Sequence, residues 1–299
     1  MTLTFSKTAV SLVIAASILA ACGGGATAPS GTTPLASTVT PPTYVTLTDT
    51  TSTRTSPLAG SVLASNTTTG QFNVNTTEGA LVRATDVLTL SDGEYLFKST
   101  GGIDLNGTTK DAQGSTLLVN TDLGTGYDYA TVYNGTYVLN GVEYDALGVV
   151  GTPTAQGDLP TDGTATYTGN SNLTVATENE LTHVYSDGAA TVFVNFKTGR
   201  ANVTVDDFTV RNPVGLIAEG SFDKMQIFGM AVDGAAFAGG SVTFENDGQA
   251  VDVVGDTPLN ASQGTLFGYD PNIMAPDEAG GVILVTGDTS QVTGAFIAD

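Results

Sequence analysis

The sequence predicts an all-β protein, on three observations. Glycine supplies 37 of 299 residues, and Asn-Gly, Asp-Gly and Thr-Gly pairs recur at short intervals, where tight turns need positive φ. Between those pairs, runs rich in Val, Thr, Tyr, Phe and Ile alternate in part with polar residues, the period of a half-buried strand. No window of a dozen residues carries an apolar stripe at helical spacing; the short polar stretch from Thr177 to Glu180 is the best helix candidate.

The N-terminus has the pattern of a targeting segment. Lys7 supplies a positive start, and Ala9 to Ala21 is an apolar run broken only by Ser11 and Ser17. As a helix that run reaches about 20 Å at ~1.5 Å per residue, short of a bilayer core of ~30 Å, so it reads as a signal peptide over 1–21. It ends in Leu19-Ala20-Ala21-Cys22-Gly23, which resembles the lipobox of bacterial lipoproteins. That resemblance implies cleavage before Cys22, acylation (palmitate-type chains) on its sulfur and new amine, and attachment to a membrane through those chains. Gly23 rather than Asp after the Cys resembles lipoproteins sent on to the outer membrane. Residues 22–57 hold Pro29, Pro34, Pro41, Pro42 and Pro57 among Thr, Ser, Ala and Gly; such a stretch buries too little apolar surface to order itself and reads as a disordered tether.

Strands begin at Leu58. The stretch from Leu81 to Leu90 alternates in part, Ser91-Asp92-Gly93 turns the chain, and Glu94 to Phe97 follows. Asn134-Gly135 and Asn140-Gly141 are both type I′ hairpin signals, giving a meander of Tyr129 to Tyr133, Thr136 to Leu139 and Val142 to Val150. Beyond residue 159 the rhythm is more regular, with strand candidates at Gly163 to Tyr167, Leu181 to Tyr185, Thr191 to Phe196, Ala201 to Val210, Asp223 to Met230, Ser241 to Glu245, Gly264 to Tyr269, Gly280 to Thr286 and Gln291 to Ile297. About eight strands at this spacing suit an up-and-down antiparallel barrel; a Greek-key sandwich of similar strand count stays open.

Charge and composition exclude several classes. Thirty acids against nine bases give a net charge of −21, which repels phosphate backbones and argues against nucleic-acid binding. One Cys excludes a disulfide framework or a Cys-rich metal site. One His leaves no divalent-metal cluster, and no Gly-x-Ser-x-Gly accompanies it, so an envelope hydrolase lacks its nucleophile–base pair. Asp206 and Asp207 point to opposite faces of a strand and cannot share a pocket. Turn acids such as Asp233, Asp247, Asp256 and Asp288 could hold Ca²⁺, but no repeated Asp-x-Asp spacing backs that, and turns use Asp before Gly anyway. After Lys224 come ten acids and no Lys or Arg, a one-sign surface that keeps the domain soluble or steers a basic partner.

The second half carries a family resemblance. Glu143-Tyr144-Asp145-Ala146-Leu147-Gly148-Val149-Val150-Gly151-Thr152-Pro153, then Leu159-Pro160-Thr161-Asp162-Gly163-Thr164-Ala165-Thr166-Tyr167-Thr168-Gly169, resembles the lead-in to the barrel of transferrin-binding-protein-B-like surface lipoproteins. Gly199-Arg200-Ala201-Asn202-Val203-Thr204-Val205-Asp206-Asp207-Phe208 is similar to that family's second hairpin, and Gly264 to Asn272, Glu278 to Val282 and Val292 to Phe296 are similar to its closing strands. The chain departs from the pattern between Asn272 and Glu278, which is longer than the usual turn, and in its ending Ile297-Ala298-Asp299.

The resemblance spans about residues 144–299 and implies a single lobe: a small handle-like β domain over 58–158 followed by an up-and-down antiparallel β-barrel of about eight strands over 159–299. It also implies a non-enzymatic, monomeric lipoprotein of the outer membrane, exposed at the cell surface, that captures a host or environmental protein or a haem or iron source. The alternative is a structural or adhesive surface lipoprotein. For haem, the candidates are His183 and Tyr185, two apart and so on one strand face, with Met225 or Met230 as a second soft ligand. The plainer reading of His183 is a solvent-facing or hydrogen-bonded strand histidine.

Overall fold

The computed structural model describes residues 44–49, 53–92, 95–105, 107–119, 123, 126–177, 182–211, 222–255 and 258–299. Residues 1–21, read above as a signal peptide, Cys22 and residues 178–180 of the helix candidate lie outside them. No helix occurs among the described residues.

The first sheet is built from β1 (Thr55–Asn66), β2 (Phe72–Val82), β3 (Val87–Ser91), β4 (Leu96–Lys98), β5 (Thr108–Lys110), β6 (Thr116–Val119), β7 (Ala130–Leu139) and β8 (Val142–Gly151). Their order is β4-β3-β2-β1-β8-β7-β6-β5. The two edges meet through a bridge between Ser99 and Asp111 and a 2.8 Å bond from the Thr100 N–H to the Lys110 carbonyl. The sheet is therefore curled nearly shut around Leu58, Val62, Leu81, Leu90, Phe97 and Tyr133.

The second sheet comprises β9 (Thr164–Thr177), β10 (Thr182–Asn195), β11 (Arg200–Asp206), β12 (Thr209–Arg211), β13 (Lys224–Asp233), β14 (Ala236–Ala238), β15 (Ser241–Asn246), β16 (Gln249–Val251), β17 (Leu259–Asn260), β18 (Gln263–Phe267), β19 (Glu278–Thr286) and β20 (Ser290–Ala298). Antiparallel pairing runs β11-β10-β9-β20-β19-β18-β14-β13, and β13 pairs back with β11. That closes an eight-stranded up-and-down barrel and settles the question against a sandwich, since closure removes the two exposed edges. Val192, Val203, Met225, Ile227, Ile283 and Phe296 fill it. One half of β13 pairs with β15 and the other with β14, so the β15–β16 hairpin flares off the barrel wall.

Handle and barrel share buried side chains, which is why β1 and β8 are buried on both faces. Val62 points into the handle, whereas Leu63 packs on Val282 and Leu284 of the barrel. In the same way Val150 belongs to the handle core and Val149 to a junction cluster with Ala130, Phe267, Ala295 and Ile297. Pro153 bridges to Phe267, so the linking segment zips onto β18.

Several expectations are corrected. Asn134-Gly135 is not a turn: β7 runs straight through it, with Gly135 opposite Ala146 on one side and Leu117 on the other. A Cβ at Gly135 would lie 2.5 Å from both Leu117 and the Thr116 carbonyl, so the glycine permits close strand approach. Asn140-Gly141 is the turn, with φ of 53° and 80°. The run from Leu81 to Leu90 is a hairpin rather than one strand, turning at Arg83 to Asp86, where Asp86 has φ 49°. Asp187-Gly188 likewise joins two strand candidates into one: it is a bulge in β10, where the register against β9 shifts between Tyr185 and Gly188. Asp207, at φ 53°, instead splits the candidate from Ala201 to Val210 into β11 and β12.

The tether boundary at 57 is also corrected. Thr55 to Pro57 already pair in β1. Leu47 is buried and donates its N–H to the Asp128 carbonyl at 2.7 Å, while the Tyr44 hydroxyl donates to Asp158 at 2.8 Å. Tyr44 and Leu47 thus tie the chain to the folded body ahead of β1.

Candidate functional site

The segment that departs from the family pattern is the loop between β18 and β19. It is pinned at its base. The Asp270 N–H bonds the Ala275 carbonyl at 2.9 Å, and Asp270 Oδ1 accepts from the backbone and side-chain nitrogens of Asn272 at 2.8 and 2.9 Å. The Tyr167 hydroxyl donates to the Pro276 carbonyl at 3.1 Å. Between those ties Met274 sits at φ 53°, a left-handed conformation that costs a non-glycine residue about 1–2 kcal/mol. The strained, braced tip holds Ile273 and Met274 out, 63% and 68% exposed. One exposed apolar side chain is ordinary; two adjacent ones on a loop fixed by four hydrogen bonds form a presented surface.

Beneath the tip is a concentration of acids and tyrosines. Burial first, and then repulsion from Asp270, Asp128 and Asp299, holds the Asp277 carboxyl above the usual carboxylate range. Glu278, 2% exposed, accepts hydrogen bonds from the backbone N–H groups of Asp128, Tyr129 (3.1 Å) and Ala130 (2.8 Å) at the start of β7. Burial outweighs those donors and pushes its carboxyl up to about 7. The Tyr44 ring stacks on Tyr269 at 6.0 Å and meets Tyr129 edge-on at 6.3 Å. Neither the Arg83–Asp86 nor the Lys224–Glu245 ion pair involves these acids. The site is thus an apolar tip on a negative base, suited to gripping a partner with an apolar hollow and a basic rim.

The residues singled out from sequence fare differently. Cys22 lies outside the described residues. His183 and Tyr185 do share the interior face of β10, both buried, so His183 is not the solvent-facing histidine of the plainer reading, and its Nδ1 has no hydrogen-bond partner. Tyr185 does not fit a haem ligand. Its ring stacks on Phe222 at 4.4 Å and meets Phe208 edge-on at 5.4 Å, and its hydroxyl is bonded to the Phe222 backbone. Met225 and Met230 are fully buried in the same core. The structure brings these groups into one interior but spends Tyr185 and both methionines on packing. Sequence reading missed Ile273 and Met274; the available signal was two large apolar residues between Pro271 and Pro276 in an otherwise polar connection.

No family model matches the sequence, and no curated protein matches it. Among solved structures, the chain is similar to a mutant of transferrin binding protein B from Haemophilus parasuis Hp5, at 17% identity and a TM-score of 0.49 over 80% of this chain and 44% of that one. It therefore spans less than half the length of that protein. It is similar also to HpuA from Kingella denitrificans, solved in complex with human haemoglobin (16% identity, TM-score 0.36, 85% of this chain and 90% of that one). A third is transferrin binding protein B from serogroup B Neisseria meningitidis (10% identity, TM-score 0.36, 83% and 77%).

Proposed function

We propose that this chain is a surface lipoprotein that captures a protein ligand through the β18–β19 loop, without catalysis. The observation that carries the reading is the braced tip that holds Ile273 and Met274 in solvent above Asp270, Asp277 and Asp128. In this reading acyl chains on Cys22 hold a monomer in the outer membrane with its folded body outward, and residues 23–43 set the reach. Mass spectrometry of the mature N-terminus tests the anchor: an unacylated Cys22 removes it.

Capture is tested with the immobilised folded chain and two probes, haemoglobin and transferrin, chosen from what the similar structures are named for binding. The expected result is binding to one probe that weakens at least tenfold when Ile273 and Met274 are both changed to Ser, since central apolar anchors carry ~2 kcal/mol or more. Binding should also fall as salt rises, because exposed charges are screened beyond ~10 Å at 0.1 M. A double variant that binds as the parent does sinks the loop reading. Failure of both probes favours the structural or adhesive alternative.

A further inference from the structure

The open end of the handle carries a second kind of site. Side chains alternate along its strands, so Ala64, Asn73, Asn75, Tyr137 and Tyr144 face the inside, as do Val62, Leu90 and Tyr133 deeper down. The deep positions are apolar, and the mouth is not. There Asn73, Asn75, Asp92, Tyr137, Leu139 and Tyr144 surround a cavity of about 360 Å³, within the ~300–1,000 Å³ range of ligand clefts.

Its wall is unusually ordered. Tyr137 and Tyr144 face each other across the β7–β8 pair and stack at 5.2 Å with an 8° tilt. Tyr95 stacks on the far side of Tyr137 at 4.3 Å and 17°. Asp92 is aimed by two donors: the Tyr95 N–H to Oδ1 and the Tyr137 hydroxyl to Oδ2, each at 2.9 Å. The Tyr95 hydroxyl in turn donates to Asp111 and accepts from the Ser115 hydroxyl. By contrast, the amides of Asn73 and Asn75 have no hydrogen-bond partner among the described residues.

We infer that this mouth binds a neutral saccharide unit, with Tyr144 (backed by the stacked Tyr137) and Leu139 against the apolar face of the sugar ring and Asn73, Asn75 and Asp92 taking its hydroxyls. Three features select that chemistry. Among the described residues no Lys, Arg or His lines the cavity, so an anion finds no counter-charge there. The rings lie parallel in one slab, whereas a quaternary ammonium is held by ring faces on several sides. Two unengaged amides beside a fixed carboxylate offer both donors and acceptors, next to an aliphatic and aromatic surface. That is the mix of apolar lining and a few placed polar groups that small-ligand sites use.

The inference does not depend on protein capture at the β18–β19 loop. The chain has ten Tyr and no Trp, so tyrosine emission follows binding without a Trp background, saturation-transfer NMR confirms it, and the mouth variants locate it. The intact folded protein is titrated with the methyl glycosides of glucose, galactose, mannose and N-acetylglucosamine, and with tetramethylammonium as a cation control. Saturable binding of at least one glycoside is expected, weakened at least tenfold by Asn75→Ala and by Tyr144→Ala, and unchanged by the Ile273/Met274 double Ser variant. Circular dichroism melts check that both mouth variants stay folded. Binding of none of the glycosides, preference for tetramethylammonium, or full affinity in a folded Asn75→Ala variant overturns the proposal.

Discussion

Replacing Glu278 by Ala is expected to be among the most damaging single changes in this chain, costing about 3–5 kcal/mol at neutral pH. The carboxylate is the shared acceptor for three consecutive backbone N–H groups, of Asp128, Tyr129 and Ala130. It is the first residue of β19, so one side chain from the barrel caps the entry of the handle's β7. Removing it leaves buried donors without partners, at about 1–3 kcal/mol for each that water cannot reach. The same group makes stability depend on pH with a definite sign. Unfolded, the carboxyl titrates at 4.5; folded, burial raises it to about 7, against the pull of the three N–H groups. Folding therefore takes up a proton between those values. The contribution is complete below pH 4.5 and is lost as pH rises through about 7, a difference of about 3 kcal/mol. Glu278→Gln, neutral throughout, lacks this window. Urea melts at about pH 5 and about pH 8 should show the parent losing stability relative to the Gln variant. Parallel pH profiles for the two proteins would dispose of the raised carboxyl.

The contrast between what the sequence discloses and what it conceals runs along one line. Local chemistry was legible: Asn140-Gly141 carries a turn signal that depends on those two residues alone, and the repeated Gly-punctuated runs after residue 159 become the eight strands of the closed barrel. Signals that depend on a neighbour were misread. Asn134-Gly135 has the same letters as a hairpin turn, but its glycine answers to Leu117 on an adjacent strand. Asp187-Gly188 answers similarly to Phe208, whose ring lies 2.3 Å from where a Gly188 Cβ would stand. The candidate site followed the same rule. The length of the β18–β19 connection was visible as a departure, but the bracing by Tyr167, more than a hundred residues away, was not. His183 and Tyr185 were correctly placed on one face. Their surroundings depend on Phe208 and Phe222, which no strand-local pattern ties to them.

Gly268→Ala should destabilise the folded chain by about 2–5 kcal/mol, and the loss has two separable parts. Gly268 has φ 62°, a conformation that costs an L-residue about 1–2 kcal/mol. A Cβ there would also stand 2.2 Å from the Tyr129 ring, which cannot retreat freely because Tyr44 packs edge-on against it. Overfilling of that kind costs about 1–3 kcal/mol. The backbone on either side is tied to the linking segment: the Gly268 N–H donates to the Thr152 carbonyl at 2.9 Å, and its own carbonyl accepts from the Thr154 hydroxyl at 2.8 Å. A shift at this point therefore loosens the seam where handle, barrel and the β18–β19 loop meet. At ~2–4 °C per kcal/mol for a domain of this size, thermal melting should drop by about 4–20 °C. A double-mutant cycle separates the parts. In a Tyr129→Ala background the ring is gone, and Gly268→Ala should cost only the backbone share, about 1–2 kcal/mol. An equal cost in both backgrounds would mean that the ring does not confine residue 268, and the close packing of Tyr44, Tyr129 and Gly268 beneath the loop would then not be what holds Ile273 and Met274 in place.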